Sequence, residues 1–271
     1  MGAFILASIL VNISLFKNLL NLSLKHDYST HIMLIPFISL FLIFRERSSI
    51  FKENSYFSPI GMVIVLLGAC IASSWISTDL SFRVLGMVIL WIGAFLFIFG
   101  LDSFRKALFP LLFLILMIPI PETILQHIIA VLQKGSSEAS AILFKLTGTP
   151  FYRNDMFFSL PGINIEIAPQ CSSIRSSLAL LISSLLASHL FLINPWRKTL
   201  FVLAAVPMAM IKNAIRIVVL SLLAIHVNKG WLTDSDLHRE GGILFFILAL
   251  LLLYPLLWYL RRSEEKSLHQ S

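Results

Sequence analysis

Three polar stretches in this chain carry the residue types that can do chemistry. Ala168-Pro-Gln-Cys-Ser-Ser-Ile-Arg-Ser-Ser177 offers a thiol, Cys171, and a guanidinium, Arg175, four residues later. On a helix that spacing puts both on one face. A thiol at a helix amino terminus also meets the positive end of the dipole and unpaired N–H groups, which favour thiolate, and Arg175 favours it further. Lys212-Asn213-Ala-Ile-Arg216 sets two cations and an amide inside an apolar run, and Thr233-Asp-Ser-Asp-Leu-His238-Arg-Glu-Gly-Gly242 sets a histidine just before the last one. A nucleophile, a cation for a developing oxyanion and a proton carrier for a leaving amine are the requirements of acyl transfer. Each residue also has a plainer reading. Cys171 reads equally as a small buried residue, Arg216 as a snorkelling helix end and His238 as a solvated loop residue.

The elements that would hold these clusters are membrane spans. Of 271 residues, 58% are hydrophobic and 13% charged, with a mean hydropathy of +0.88. A soluble domain carries about 25% charged residues, so a cytosolic globule, a disordered chain and a disulfide scaffold are excluded. A spanning helix needs about 20 mostly apolar residues. The runs Ala3–Leu20, His31–Phe44, Pro59–Ile76, Val84–Leu101, Leu108–Pro121, Ser176–Ile193, Leu200–Leu220 and Ile243–Leu260 make eight. The expected fold is an all-α polytopic membrane protein. Cys70, the other of two cysteines, lies in an apolar run and reads as a small buried hydrophobe.

Basic residues then set the orientation. Arg45, Arg47 and Lys52 follow span two, Arg105 and Lys106 span four, Arg197 and Lys198 span six, and Arg261, Arg262 and Lys266 span eight. The short loops on the other side hold only Lys25, Arg83, Lys229 and Arg239. The positive-inside rule makes the first set cytoplasmic, with both termini inside. Cys171, Arg216 and His238 then fall at the outer ends of three consecutive spans. The expected organisation is amino-terminal spans over 1–107, a core over 108–260 that carries the clusters, and a cytoplasmic polar tail over 261–271.

One outer connection, 122–170, is long. Thr123–Leu146 has helical apolar spacing interrupted by Gly135-Ser136-Ser137, which predicts two short amphipathic helices at the outer interface. Tyr152–Ala168 alternates about Pro161-Gly162, which predicts a hairpin packed above the bilayer or on protein.

These residues resemble the exosortase/archaeosortase family of membrane cysteine transpeptidases. Cys171-Ser-Ser-Ile-Arg-Ser176 is similar to the family's Cys-Ser-Gly-apolar-Arg-Ser element. Asn213-Ala-Ile-Arg216-Ile, His238 before Gly241-Gly242, Met117-Ile-Pro-Ile-Pro121 and Leu160-Pro-Gly162 add to the likeness, which spans Leu108–Phe246. Ser173 departs from it, standing where the family usually has glycine. The resemblance implies that Cys171, Arg216 and His238 are catalytic, with Arg175, Asn213 and Ser172 supporting. It implies a thiol protease or transpeptidase of the cytoplasmic (inner) membrane, with its active site facing the periplasm or exterior. Its substrates would be secreted proteins ending in a short motif, often of the Pro-Glu-Pro kind, a hydrophobic helix and a basic cluster. Membrane lipid surrounds it, and a surface glycolipid is the acceptor if water is not.

The rival class is a transporter or channel in which Arg175, Lys212 and Arg216 line an anion path. It predicts cations spread through the bilayer depth, whereas these cluster in spans six and seven. A lipid-linked transferase would want in-span carboxylates, which are absent from the eight runs. No cofactor is expected. The histidines are scattered and neither cysteine has a partner at zinc spacing, so no metal is expected. Without a basic stripe or soluble domain, no nucleic acid is expected either.

Overall fold

In the computed structural model, which describes residues 2–52, 57–73, 78–168, 174–232 and 241–268, the chain forms two compact units, Met1–Glu122 and Thr123–Ser271. Helices dominate both. The first unit comprises α1 (Gly2–Val11), α2 (Ile13–Lys25), a 3₁₀ turn (Asp27–Met33), α3 (Ile35–Arg45), α4 (Arg47–Ile50), α5 (Pro59–Ala72), α6 (Leu80–Lys106) and α7 (Leu108–Phe113), followed by a 3₁₀ turn at Leu114–Met117. The second has α8 (Glu122–Leu146, its first residue at the boundary), strands β1 (Tyr152–Asn154), β2 (Phe157–Leu160) and β3 (Ile163–Glu166), α9 (Ile174–Phe191), α10 (Pro195–His226), a 3₁₀ turn (Lys229–Leu232) and α11 (Gly241–Leu268).

Glycines organise the first unit. A Cβ at Gly61 would sit 2.3 Å from Phe97 N, one at Gly68 2.4 Å from Leu90 N, and one at Gly86 2.3 Å from Ala72 N. The partner number falls as the position rises, so α5 and α6 run antiparallel with their backbones in contact. Apolar surface gives no drive to associate inside lipid, so helices there rely on such close approach. Replacing Gly86 by alanine should cost the upper end of the ~1–3 kcal/mol typical of overpacking, read as a lower thermal midpoint in detergent. Gly2→Ala, where a Cβ meets nothing within 4 Å, should leave that midpoint unchanged. Gly100 bends α6 at φ 72° and ψ 179°, a conformation open essentially to glycine.

Among the described residues, five helices are long and apolar enough to cross a bilayer: Tyr28–Arg45, Leu80–Lys106, Ile174–Phe191, Pro195–His226 and Gly242–Lys266. The number reaches seven if Phe4–Val11 with Ile13–Lys25, and Leu108–Met117 with Glu122–Leu146, each form one broken span. The expectation of eight is not reached, for local reasons. The first run bends by 80° between α1 and α2, the third is helical over the 14 residues of α5 among its described residues, and the fifth gives six α-helical residues before a 3₁₀ turn. Ile118 is extended, as the residue before a proline prefers. Cys70, expected to be buried, is exposed on α5. The face of α5 that packs on α6 is instead made of Gly61, Gly68 and Ala72.

In the second unit, α8 to α11 share a core of Leu132, Leu180, Phe201, Ala205, Ala209, Ala249 and Leu253. The stretch 123–146 is one helix, not two. Gly135-Ser136-Ser137 belongs to its buried stripe Leu125, Ile129, Leu132, Ser136, Ser140 and Phe144. Met210 presses on Gly135, its Sδ lying 2.2 Å from where a Gly135 Cβ would be. The expected polar tail is also helix as far as Leu268. Within it Glu264 is buried and accepts hydrogen bonds from the N–H groups of Ile193 (2.9 Å) and Asn194 (2.8 Å), closing the turn between α9 and α10. Glu264→Ala strands those donors and should cost about 1–3 kcal/mol, with Glu264→Gln recovering part of it. Thermal unfolding in detergent reads both.

The predicted hairpin is present and has a third strand. β2 and β3 pair antiparallel with Leu160 opposite Ile163 across Pro161-Gly162. Gly162 has φ 78°, so proline then glycine at positive φ make the type II turn. β1 adds to the other edge of β2, with Asn154 opposite Phe157. Phe158 and Leu160 face inward, packing with Ala141 and Phe144 of α8 and Val218 of α10. One face of the sheet thus rests on protein.

Candidate active site

The site is built from the strand that approaches α9 and from the facing surfaces of α8, α9 and α10. The sheet is clamped to α8. Arg153 donates to both carboxylate oxygens of Glu138, at 3.0 and 2.8 Å, and its Nε donates to the Asp155 carbonyl at 2.8 Å. The Glu138 carboxylate raises the Arg153 pKa above its ordinary value, chiefly through that hydrogen bond. Ser137 Oγ donates to the same Asp155 carbonyl at 3.1 Å, which steadies a turn residue held at φ 53°. Beyond β3, Ile167 is tied twice: its N–H donates to Met156 O at 3.0 Å and its carbonyl accepts from Gln133 Nε2 at 2.8 Å. The chain therefore leaves the sheet from a fixed point four residues before Cys171 in sequence.

Cys171 and Ser172, together with Ser173, lie outside the described residues, and so does His238. Arg175, Asn213 and Arg216 lie within them. Arg175 stands in the first turn of α9 and is exposed, and Arg216 is half-buried on α10.

The most informative contacts come from two consecutive residues of α10. Lys212 is 1% exposed, and its Nζ donates to Ser176 Oγ in the first turn of α9. Asn213 is 0% exposed, and its Nδ2 donates to Ser136 Oγ on α8 at 3.1 Å. Successive helix positions point about 100° apart, so neighbouring side chains can reach two different helices. Because α9 joins α10 through a short turn at Leu192–Asn194, a bond from Lys212 back to Ser176 makes the pair an antiparallel hairpin. Arg216 then lies about 6 Å farther along α10, toward the end from which α9 starts. It is near enough to Lys212 to act on it electrostatically.

Beside these residues is a cavity of about 380 Å³ between α8, α9 and α10. Ile128, Val131, Leu132, Leu178, Leu181 and Val206 line it, and His127 and Ser177 are the polar side chains among the described residues of its wall. It suits an apolar chain. Among the described residues no group of three or more His, Cys, Asp or Glu can hold a metal ion.

Sequence reasoning therefore placed Arg175 at the start of one apolar run and Asn213 and Arg216 within the next. It missed Gln133, Ser136 and Ser176 as the groups that tie these elements together. A serine in an apolar helix is common in membrane bundles, so no signal distinguished Ser136 or Ser176 from packing residues.

No curated protein and no solved structure matches the chain. The family model of the transmembrane exosortases (Exosortase_EpsH) matches residues 22–255, most of both units and every described element of the site. The chain belongs to the transmembrane exosortase family.

Proposed function

We propose that this protein is a cysteine transpeptidase or protease that removes the carboxy-terminal sorting signal of secreted proteins at the outer face of the cytoplasmic membrane. Family membership makes it a multi-pass membrane transpeptidase in general terms; the nucleophile, the face and the substrate are our reading. The observation that carries it is the bond from Lys212 to Ser176. It sets Arg216 level with the approach to α9, the helix that Cys171 precedes by three residues in sequence.

In the proposed mechanism the Cys171 thiolate attacks the scissile carbonyl. Arg216 stabilises the thiolate, the tetrahedral oxyanion or both, and the C–N bond breaks with His238 giving its proton to the departing amine. The carboxy-terminal helix leaves, and water or an amine of a surface glycolipid resolves the thioester. Arg175 and Ser172 would support the thiolate, and Asn213 holds α10 to α8. The apolar cavity beside α9 supports a substrate with a hydrophobic segment. The outer face follows from the basic loops and the positive-inside rule. The test is processing of a co-expressed secreted reporter ending in a Pro-Glu-Pro-type motif, an apolar helix and a basic cluster, with wild type, Cys171→Ala and Cys171→Ser compared at equal expression. Loss in both variants supports this reading. Persistence in both removes Cys171 as nucleophile and moves an anion-transport function forward.

A further inference from the structure

Lys212 has no step of its own in that mechanism, yet it is a costly residue. A lysine within the hydrocarbon depth is unfavourable, and a second cation one turn away on the same helix adds repulsion. Lys212 nevertheless is 1% exposed and spends its amine on a serine hydroxyl. If packing were all that mattered, methionine would fill the same space without that cost. The hydroxyl it meets is one residue after Arg175, in the first turn of α9. The next residue, Asn213, ties α10 to α8, the helix that also holds the exit of β3 through Gln133.

We propose that Lys212 is a positioning residue, which locks the first turn of α9 in register with Arg216 through its bond to Ser176. The proposal rests on the reading of Arg216 as the cation that acts on the reactive thiol. Among the described residues, Arg216 on α10 and Arg175, one residue before Ser176 on α9, are the other charged groups of this region. Because the proposed role runs through a hydrogen bond, it belongs equally to Ser176 and is separable from the charge of Lys212. Lys212→Gln keeps a donor and loses the charge, Lys212→Met loses both, and Ser176→Ala removes the acceptor while leaving the lysine in place.

The experiment uses the full chain in detergent with Cys70→Ser, which leaves Cys171 as the one thiol. The rate of alkylation by iodoacetamide is followed against pH. Arg216→Leu should raise the midpoint of that profile by about one pH unit. Lys212→Met and Ser176→Ala should each raise it toward the Arg216→Leu value, the two together should do no more than either alone, and Lys212→Gln should restore most of the shift. A merely structural lysine would lower the amount of folded protein without moving the midpoint of what remains. The proposal is overturned if Ser176→Ala leaves the midpoint in place while Arg216→Leu moves it. It is also overturned if Lys212→Gln behaves as Lys212→Met, since charge alone would then be the cause. A midpoint unmoved by Arg216→Leu would instead sink the underlying assignment of Arg216 to the thiolate, on which the proposal rests, and leave it the oxyanion alone. Should Lys212→Met not accumulate, Ser176→Ala and Lys212→Gln decide the matter between them.

Discussion

Cys171→Ala is expected to abolish reporter processing, with a fall of at least about 10³-fold, the scale seen when a nucleophile is removed. Cys171→Ser should fall nearly as far although it differs by one atom. A thiol at a helix start beside a cation is poised to ionise, and a thiolate attacks without further help. A serine hydroxyl ionises far less readily and needs a general base held against it. His238 is assigned to the leaving amine, so it is not free to activate a hydroxyl at the same moment. Immunoblots for the precursor and the processed reporter, with enzyme levels matched, measure both variants. Processing by Cys171→Ser near the wild-type rate would mean that a positioned base exists and that the thiolate is dispensable.

The second large effect is expected at Arg216. Arg216→Leu should lower processing by about 10²–10³-fold, the loss seen when an oxyanion-stabilising donor is removed. Arg216→Lys should recover little, because an ammonium lacks the planar fork with which guanidinium meets two oxygens. The pH profile separates the two roles open to this cation. If Arg216 holds the thiolate, its loss raises the thiol pKa, the thiolate fraction at neutral pH drops, and the acid limb of the profile moves to higher pH. Activity then recovers in part as the pH is raised. If Arg216 serves only the oxyanion, the rate is low throughout and the limb stays where it was. Wild-type rates in Arg216→Leu would remove the residue from the mechanism altogether.

How far the sequence spoke depended on the range of the interaction. Apolar run length is local, and the long runs at Val84–Leu101, Leu200–Leu220 and Ile243–Leu260 all lie in helices long and apolar enough to cross a bilayer. The turn at Pro161-Gly162 is also local, since the two residues fix their own φ, and it stands at the expected place. Gly135-Ser136-Ser137 failed as a helix break because small residues have two meanings. In isolation they weaken a helix, but here Met210 and Asn213 fill the space that a larger side chain would claim. Glu264 failed as part of a tail for a similar reason: its partners, the N–H groups of Ile193 and Asn194, are 70 residues or more away in sequence.

The sequence by itself determined the class of protein: a helical membrane protein of the exosortase family, with a thiol, a guanidinium and an imidazole in the polar stretches in and between its last apolar runs. Composition, periodicity and spacing suffice for that, because each is written along the chain. Only the tertiary structure decided which polar groups meet. Ser176 and Lys212, like Ser136 and Asn213, are far apart in the chain and adjacent in the bundle. Their bonds exist because buried donors inside lipid must find an acceptor on a neighbouring helix, and which helix that is depends on how the bundle closes.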